Sequence, residues 1–593
     1  MGGEKAVTSE RAEFIREIPL FAGLPDDAVA EIAGRAEETR VAAGDWLFRE
    51  GEVGERLYVL RTGRLEVLRE VGGDEIPIRN LSPGAVLGEL AVLTDAPRSA
   101  SVRARRDSGL LGLSTDAFFE LLDDVDFARA LTRVLANQLQ ASRAVTVEND
   151  PVPPVIAVVP LADGVTSVAF ADELALAMAT GGDVKCLTEE EASEADSFGD
   201  VLDRWERSGD QVVLSVASPA DSDWRSFCLR QADRVVAVAD ADTPNGPPAA
   251  PSGSDLALLG WPGSRPVLRG LMAALEPRAV YHVQDEDGRG ASAALVARRL
   301  SGVSPGIVLS GGGARGLAHL GVLDELQKAG MAIDRVGGCS MGAIIGGLFA
   351  SGLEVDEIEA RLRAEFVDRN PISDYTIPIT ALTRGRKGEA MLWRLYGDRR
   401  IEELEREFFC VSCDLVTSEL VVHRQGELAV GVGASGCLPG VIPPYSLDGQ
   451  LLVDGGIRDN LPVATMAARG EGPVLAVDVS SRFEPPTRGV AGGRPGLRRL
   501  SERARRAIVG WDEPRPSFPE TLTRVVVLGS IDTAEAAQEH ADAVIAPEVQ
   551  GVGLVEFDRI AEIREQGAAA AREAFAEGLA ATLFGAAASG AGA

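Results

Sequence analysis

From residue 11 to about 145 the hydrophobic pattern changes period twice. It opens at helical spacing, becomes short alternating runs, then returns to helical spacing. In GDWLFREGEVGERLYVLRTGRLEVL, Gly44, Gly51, Gly54 and Gly63 separate the alternating apolar positions. Such runs predict small antiparallel strands joined by tight turns. TDAFFELLDDVDFARALTRVLANQLQASRAV then predicts helix. ENDPVPP, with Pro151, Pro153 and Pro154, predicts a linker. From Val155 to about Leu300, the apolar runs VIAVVPL, QVVLSVA and DRVVAVAD alternate with helical stretches. That pattern predicts an open α/β unit. ADGVTSVAF after its first strand lacks the Gly-x-x-x-x-Gly-Lys of a phosphate loop, so this unit reads as structural. Residues 243–254 read as a loop.

A third unit runs from about Gly306 to Val479. FEPPTRGVAGGRPG predicts a loop. TRVVVLGS and DAVIAP predict late strands of the same α/β core. From Ala568 the chain is Ala-rich, helical first and then frayed.

Composition narrows the classes. A chain of 593 residues exceeds one core and calls for several domains. Its net charge of -31 argues against broad nucleic-acid binding and against general attraction to an anionic membrane. The six cysteines form no dense framework, and the N-terminus shows no signal-peptide pattern, so reduced thiols in a cytoplasmic protein are expected. Cys410 and Cys413, three apart on a predicted strand, point to opposite faces, and no second pair follows, so no zinc site is read. No apolar run reaches about 18 residues.

The candidate chemistry lies in the third unit. GIVLSGGGARGLAHLGVL, 306 to 323, sets three glycines between a predicted strand and a helix. Bare backbone there suits either a phosphate cradle or an oxyanion hole. Further on, Gly338-Cys339-Ser340-Met341-Gly342 is a G-x-S-x-G between a strand and a helix. That arrangement exposes a serine on a sharp turn, at a helix N-terminus that favours negative charge. A bare tight turn would look the same locally. The base is not an evident histidine. His282, His319, His423 and His540 sit in no triad-like motif, and His319 reads as packed in its helix. Asp454 ends an apolar strand before Gly455 and Gly456. Taken alone, it reads first as a turn former.

Together, and in this order, the three motifs resemble the patatin-like phospholipases. GASGCLPGVIPPY, DGGIRDNLPV and the upstream CLRQADRVVAVAD are similar to the neuropathy target esterase branch. The resemblance spans most of residues 15 to 575. It implies a Ser340–Asp454 dyad, an oxyanion hole of the Gly311, Gly312 and Gly313 N–H groups, and a bracing role for Arg315. It also implies lysophospholipid or phospholipid substrates and no catalytic cofactor or metal. The membrane helix of animal members has no counterpart here.

LSPGAVLGELAVLTDAPRSASVRA, 81 to 104, resembles the phosphate-binding cassette of cyclic nucleotide-binding domains. Gly88, Glu89, Leu90, Arg98, Ser99 and Ala100 are its candidate ligand residues. Arg98 would hold a phosphate through two parallel N–H bonds, and Glu89 a ribose hydroxyl. The Arg-Ser-Ala spelling is closer to cAMP binders than to cGMP binders. A structural roll with Glu89 and Arg98 paired is the other reading. Transcription-factor function is not expected, because no helix-turn-helix follows.

The expected organisation is therefore multidomain α/β. A cyclic nucleotide-type β-roll with helices takes 15–145, and an open α/β linker domain 155–300. A patatin-like α/β/α catalytic domain takes 304–480. Residues 481–575 complete the catalytic unit, and 576–593 form the Ala-rich tail. The expected function is a serine lipid-ester hydrolase regulated by a cyclic nucleotide. The alternatives are a nucleotide-sensing scaffold with a silent hydrolase domain, or an esterase of small soluble esters. One basic stretch, 494–511, places Leu497, Leu500, Ala504, Ile508 and Trp511 at helical spacing among five arginines. It reads either as a helix packed on the catalytic domain or as a peripheral membrane contact.

Overall fold

The computed structural model describes residues 11–122, 154–480 and 537–583, apart from short stretches within them, including 89–96 and 243–249. The chain divides into two compact units, 1–297 and 298–593.

In the first unit the glycine-punctuated region is an antiparallel six-stranded sheet. Its long strands Arg56–Val71 and Ser101–Ser114 pair with each other and are flanked by Glu37–Val41 and Asp74–Leu81. The Ser101–Ser114 strand buries Val102, Ala104, Arg106, Ser108 and Leu110, the period-two pattern of a sheet with one covered face. Register shifts along Leu60–Leu65 bend the sheet into a roll. Ile15, Ile18, Phe21, Val29 and Ile32 cover its outer face against Leu57, Val59 and Leu113.

The middle region is a parallel six-stranded sheet. Val155–Pro160 lies between Arg234–Asp240 and Gln211–Ser215 and is buried along its whole length. A continuous apolar run is what a strand covered on both faces needs. Ser222 Oγ caps the Asp223–Gln231 helix by accepting from the Arg225 N–H at 3.1 Å. Roll and sheet are joined inside this unit by Arg106. It is 1% exposed, donates to the Gln231 carbonyl at 2.9 Å, and pairs with Glu206 and Asp233.

The second unit holds an eight-stranded mixed sheet. Glu407–Asp414, Arg335–Gly338, Gly306–Leu309, Val474–Val477 and Ala543–Ile545 run parallel, in that spatial order. Gln450–Asp454 adds on antiparallel beside Glu407–Asp414. DAVIAP is thus a strand of this core, as its pattern predicts. TRVVVLGS and the basic stretch 494–511 lie outside the described residues. The Ile560–Ala576 helix packs on the Ala318–Lys328 helix. Among the described residues no helix is long and apolar enough to cross a membrane. The β-roll, the open α/β sheet and the mixed α/β core are the architecture expected from the patterning.

Candidate active site

Ser340 sits between the Arg335–Gly338 strand and the Met341–Ala350 helix with φ +53° and ψ −119°. A serine held there is strained, as a serine on a nucleophile elbow is. The flanking glycines follow from close approach. A Cβ on Gly338 would stand 2.7 Å from the Gly342 carbonyl, and one on Gly342 would overlap the Leu309 carbonyl. The Ser340 N–H donates to Ser435 Oγ at 3.0 Å, which holds the strained peptide.

Asp454 ends its strand directly opposite Ser412 and is 4% exposed. Its carboxyl accepts from the Gly456 N–H at 2.9 Å and from the Cys339 thiol at 3.6 Å, and the Ser340 hydroxyl lies near enough to act on its pKa. Burial pushes the Asp454 pKa up, and those three groups only partly offset it. A carboxylate so placed accepts a proton more readily than an exposed aspartate. Cys339 is buried beside it with its pKa raised, first by burial and then by the Asp454 charge, so it stays a thiol.

The histidines nearest in sequence to these motifs are engaged elsewhere. His319 is buried with Nε2 2.9 Å from the Ser310 carbonyl, and burial pushes its pKa down to about 4. His423 lies 2.7 Å from Ser412 Oγ, also pushed by burial to about 4.

The glycine loop corrects one expectation. The Gly311 N–H donates to the Asn460 carbonyl at 3.2 Å, and the Gly311 carbonyl accepts from Asn460 Nδ2 at 3.1 Å. Gly311 is therefore clamped and is not an oxyanion donor. The N–H groups of Gly312 and Gly313 have no partner among the described residues. Gly313 has φ +56°, and a Cβ there would stand 2.5 Å from the Leu554 carbonyl. Arg315 braces the loop, with Nε donating to the Val552 carbonyl at 2.9 Å. The Ala314 N–H donates to Leu554 at 2.9 Å. Ser435, Asn460 and these two carbonyls escaped the sequence reading. Only Asn460 left a signal, six residues after Asp454 in the glycine-rich turn.

In the roll, the structure brings Gly88 and Arg98 together. Arg98 is 5% exposed; Nη1 donates to the Gly88 carbonyl at 3.2 Å and Nη2 to the Arg56 carbonyl at 2.8 Å. Its guanidinium lies 4.1 Å over the Phe48 ring. Gly88 has φ +81°, and a Cβ there would overlap Arg98. Ser99 is exposed and Ala100 half-buried. Glu89 and Leu90 lie outside the described residues. The described half of the cassette is a fixed cation beside a glycine turn, which fits an anionic ligand.

Comparison with known proteins finds two matching domain families. Residues 307–467 match the patatin-like phospholipase family, and 38–125 the cyclic nucleotide-binding domain. An NTE family protein of Mycobacterium tuberculosis is 34% identical over 577 residues, covering 94% of this chain and 95% of that one. The chain belongs to the NTE family. A lysophospholipase of Mycosarcoma maydis is 27% identical, covering 90% of this chain and 33% of its own length. A patatin-like phospholipase domain-containing protein of Pongo abelii is 29% identical, over 75% of this chain and 38% of its own. This NTE family chain is thus a patatin-type lipid-ester hydrolase with a cyclic nucleotide-binding domain ahead of it.

Proposed function

We propose that this NTE family protein hydrolyses acyl esters of lysophospholipids and phospholipids with a Ser340–Asp454 dyad. The placement of Ser340 on a strained elbow, with its hydroxyl beside the buried Asp454 carboxyl, carries the reading. Ser340 Oγ attacks the acyl carbonyl carbon and Asp454 takes its proton. The Gly312 and Gly313 N–H groups hold the oxyanion. Collapse expels the alcohol, which leaves with the proton from Asp454. Asp454 then draws a proton from water, which attacks the acyl-serine and releases the fatty acid. A lysophospholipase name on the Mycosarcoma maydis relative supports the choice of substrate.

In the same proposal, Gly88, Glu89, Leu90, Arg98, Ser99 and Ala100 bind a cyclic nucleotide, cAMP in preference to cGMP. Binding regulates hydrolysis only if the nucleotide prefers one state of the chain. The test is fatty-acid release from lysophosphatidylcholine beside a short-chain soluble ester, with and without cAMP. Ser340→Ala should lose several powers of ten in rate on both substrates, as loss of one member of a coupled unit does. Arg98→Ala should keep the basal rate and lose a nucleotide response of roughly 5–150-fold. A Ser340→Ala protein as active as the parent would end the dyad reading.

A further inference from the structure

The sheet that carries Ser340 and Asp454 has a rim unlike the rest of an acidic chain. The described residues of the loop, 371–377 and 380–385, include a part laid against 438–443. The Leu382 N–H donates to the Gly440 carbonyl at 2.9 Å, and the Thr383 N–H to the Val441 carbonyl at 3.0 Å. The same short segment begins at Cys437, whose carbonyl accepts from the Asp454 N–H at 2.8 Å. The loop is therefore two hydrogen-bonded steps from the backbone of the proposed base.

This loop exposes what a folded protein ordinarily covers. Tyr375 is 69% exposed and Ile377 78%. The helix that follows, Arg386–Tyr396, exposes Trp393 at 39%. Arg386 and Trp393 lie seven residues apart, on one face of that helix. A second apolar tip stands at the same end of the sheet. Gly338, two residues before Ser340, pairs with Cys410, and the Glu407–Asp414 strand runs four residues further in that direction. Beyond it Val416 is 75% exposed, and the Leu415 N–H donates to the Leu451 carbonyl, also on the rim.

Most of the exposed charges beside Tyr375 and Ile377 are positive. Arg384, Arg386 and Lys387 are exposed, in a chain of net charge -31. Neither arginine forms an ion pair among the described residues. Among the described residues Lys387 Nζ reaches only the Ser373 hydroxyl, at 2.8 Å. Of the nearby acids, half-buried Asp374 accepts from the Lys387 backbone N–H, and Glu389 lies in the first turn of the helix. Unpaired cations next to exposed Tyr, Trp and Ile complement the headgroup region of an anionic bilayer. Cations meet phosphate there, and amphipathic rings sit at the boundary.

We propose that this rim is the surface on which the catalytic unit docks to an anionic phospholipid bilayer. Tyr375 and Ile377 would enter the headgroup boundary, and Arg384, Arg386 and Lys387 would lie against lipid phosphates. The proposal rests on the reading that Ser340 acts on lipid, and it assigns the face through which lipid reaches it. It is independent of the basic stretch at 494–511.

The test is sedimentation of the full chain with phosphatidylcholine vesicles, with and without phosphatidylserine. Replacing Arg384, Arg386 and Lys387 together by Gln should weaken binding to the serine-lipid vesicles by about fivefold per charge removed. That loss should shrink at high salt. The Tyr375→Ser, Ile377→Ser double variant should bind both vesicle types less well. Both variants should hydrolyse a soluble short-chain ester at the parent rate, which also shows that they fold. Variants that sediment like the parent would overturn the proposal, and that result would follow if 494–511 held the vesicle by itself. A parent that hydrolyses the soluble ester but never sediments would also overturn it, leaving the dyad intact. A parent that sediments through this rim yet hydrolyses nothing would instead end the dyad reading.

Discussion

Asp454 shows how burial alone can prepare a base. Its pKa is raised, so the fold favours the protonated form relative to the unfolded chain. The stability this group contributes is fully present below its unfolded pKa and is lost as pH rises through the folded value. Activity runs the other way, because the base works deprotonated. On a soluble ester, kcat/KM should fall on the acid side with a midpoint above the ordinary carboxylate value of about 3.9. His319, held neutral down to about 4, should contribute no limb near neutrality. A limb near pH 6.5 that vanishes in His319→Gln would contradict the dyad. Asn460 acts one step further out. Its amide and carbonyl clamp Gly311, so the next two N–H groups are held in place. Asn460→Ala should lower kcat on the order of tenfold or more while KM changes little, since loss of one oxyanion donor costs about 10²–10³. Steady-state kinetics beside an unfolding curve would separate this from simple destabilisation.

At the scale of elements, the legible parts were those with a local cause. Gly338 and Gly342 mark the elbow because backbone passes too close for a Cβ, and that demand is written at the elbow itself. The strand and Gly-Gly turn around Asp454 read locally as a turn former, and only the order of the three motifs, through the family resemblance, gave it the role of base. Ser435 and Asn460 were not legible. They reach Ser340 and Gly311 from 95 and 149 residues away; Ser435 looks like any helix-end serine, and the place of Asn460 after Asp454 does not tell what it holds. Gly311 was misassigned for the same reason, since its hydrogen-bond partner lies in a distant turn. The late segment was visible as a strand, but its support for the glycine loop through Val552 and Leu554 was not. One element contact makes a sharp prediction. A Cβ on Gly321 would overlap Arg564 O and Ala568 N, and one on Gly567 would overlap Ala318 O. The two helices therefore cross backbone to backbone directly behind the glycine loop. Gly321→Ala should cost about 1–3 kcal/mol, as overpacking does, and lower the thermal midpoint of the chain. An unchanged midpoint would mean the crossing is loose.

Across the whole molecule, the chain carries a cyclic nucleotide-binding domain and a hydrolase in sequence. Within the first unit, the Arg106 cluster fixes the roll to the middle sheet, so that sheet is more than a spacer. Arg106 lies on the strand that follows the cassette residues Arg98, Ser99 and Ala100. The second unit keeps strained serine, buried aspartate and glycine loop together, which is the arrangement of a working hydrolase rather than a silent scaffold. These statements converge on whether Ser340 is an activated nucleophile. The most direct measurement is labelling of the full chain with a fluorophosphonate, followed by mass mapping of the adduct. The account predicts a single adduct on Ser340, absent in Ser340→Ala and formed far more slowly in Asp454→Asn. An adduct on another residue, or equal labelling rates in the parent and Asp454→Asn, would contradict it.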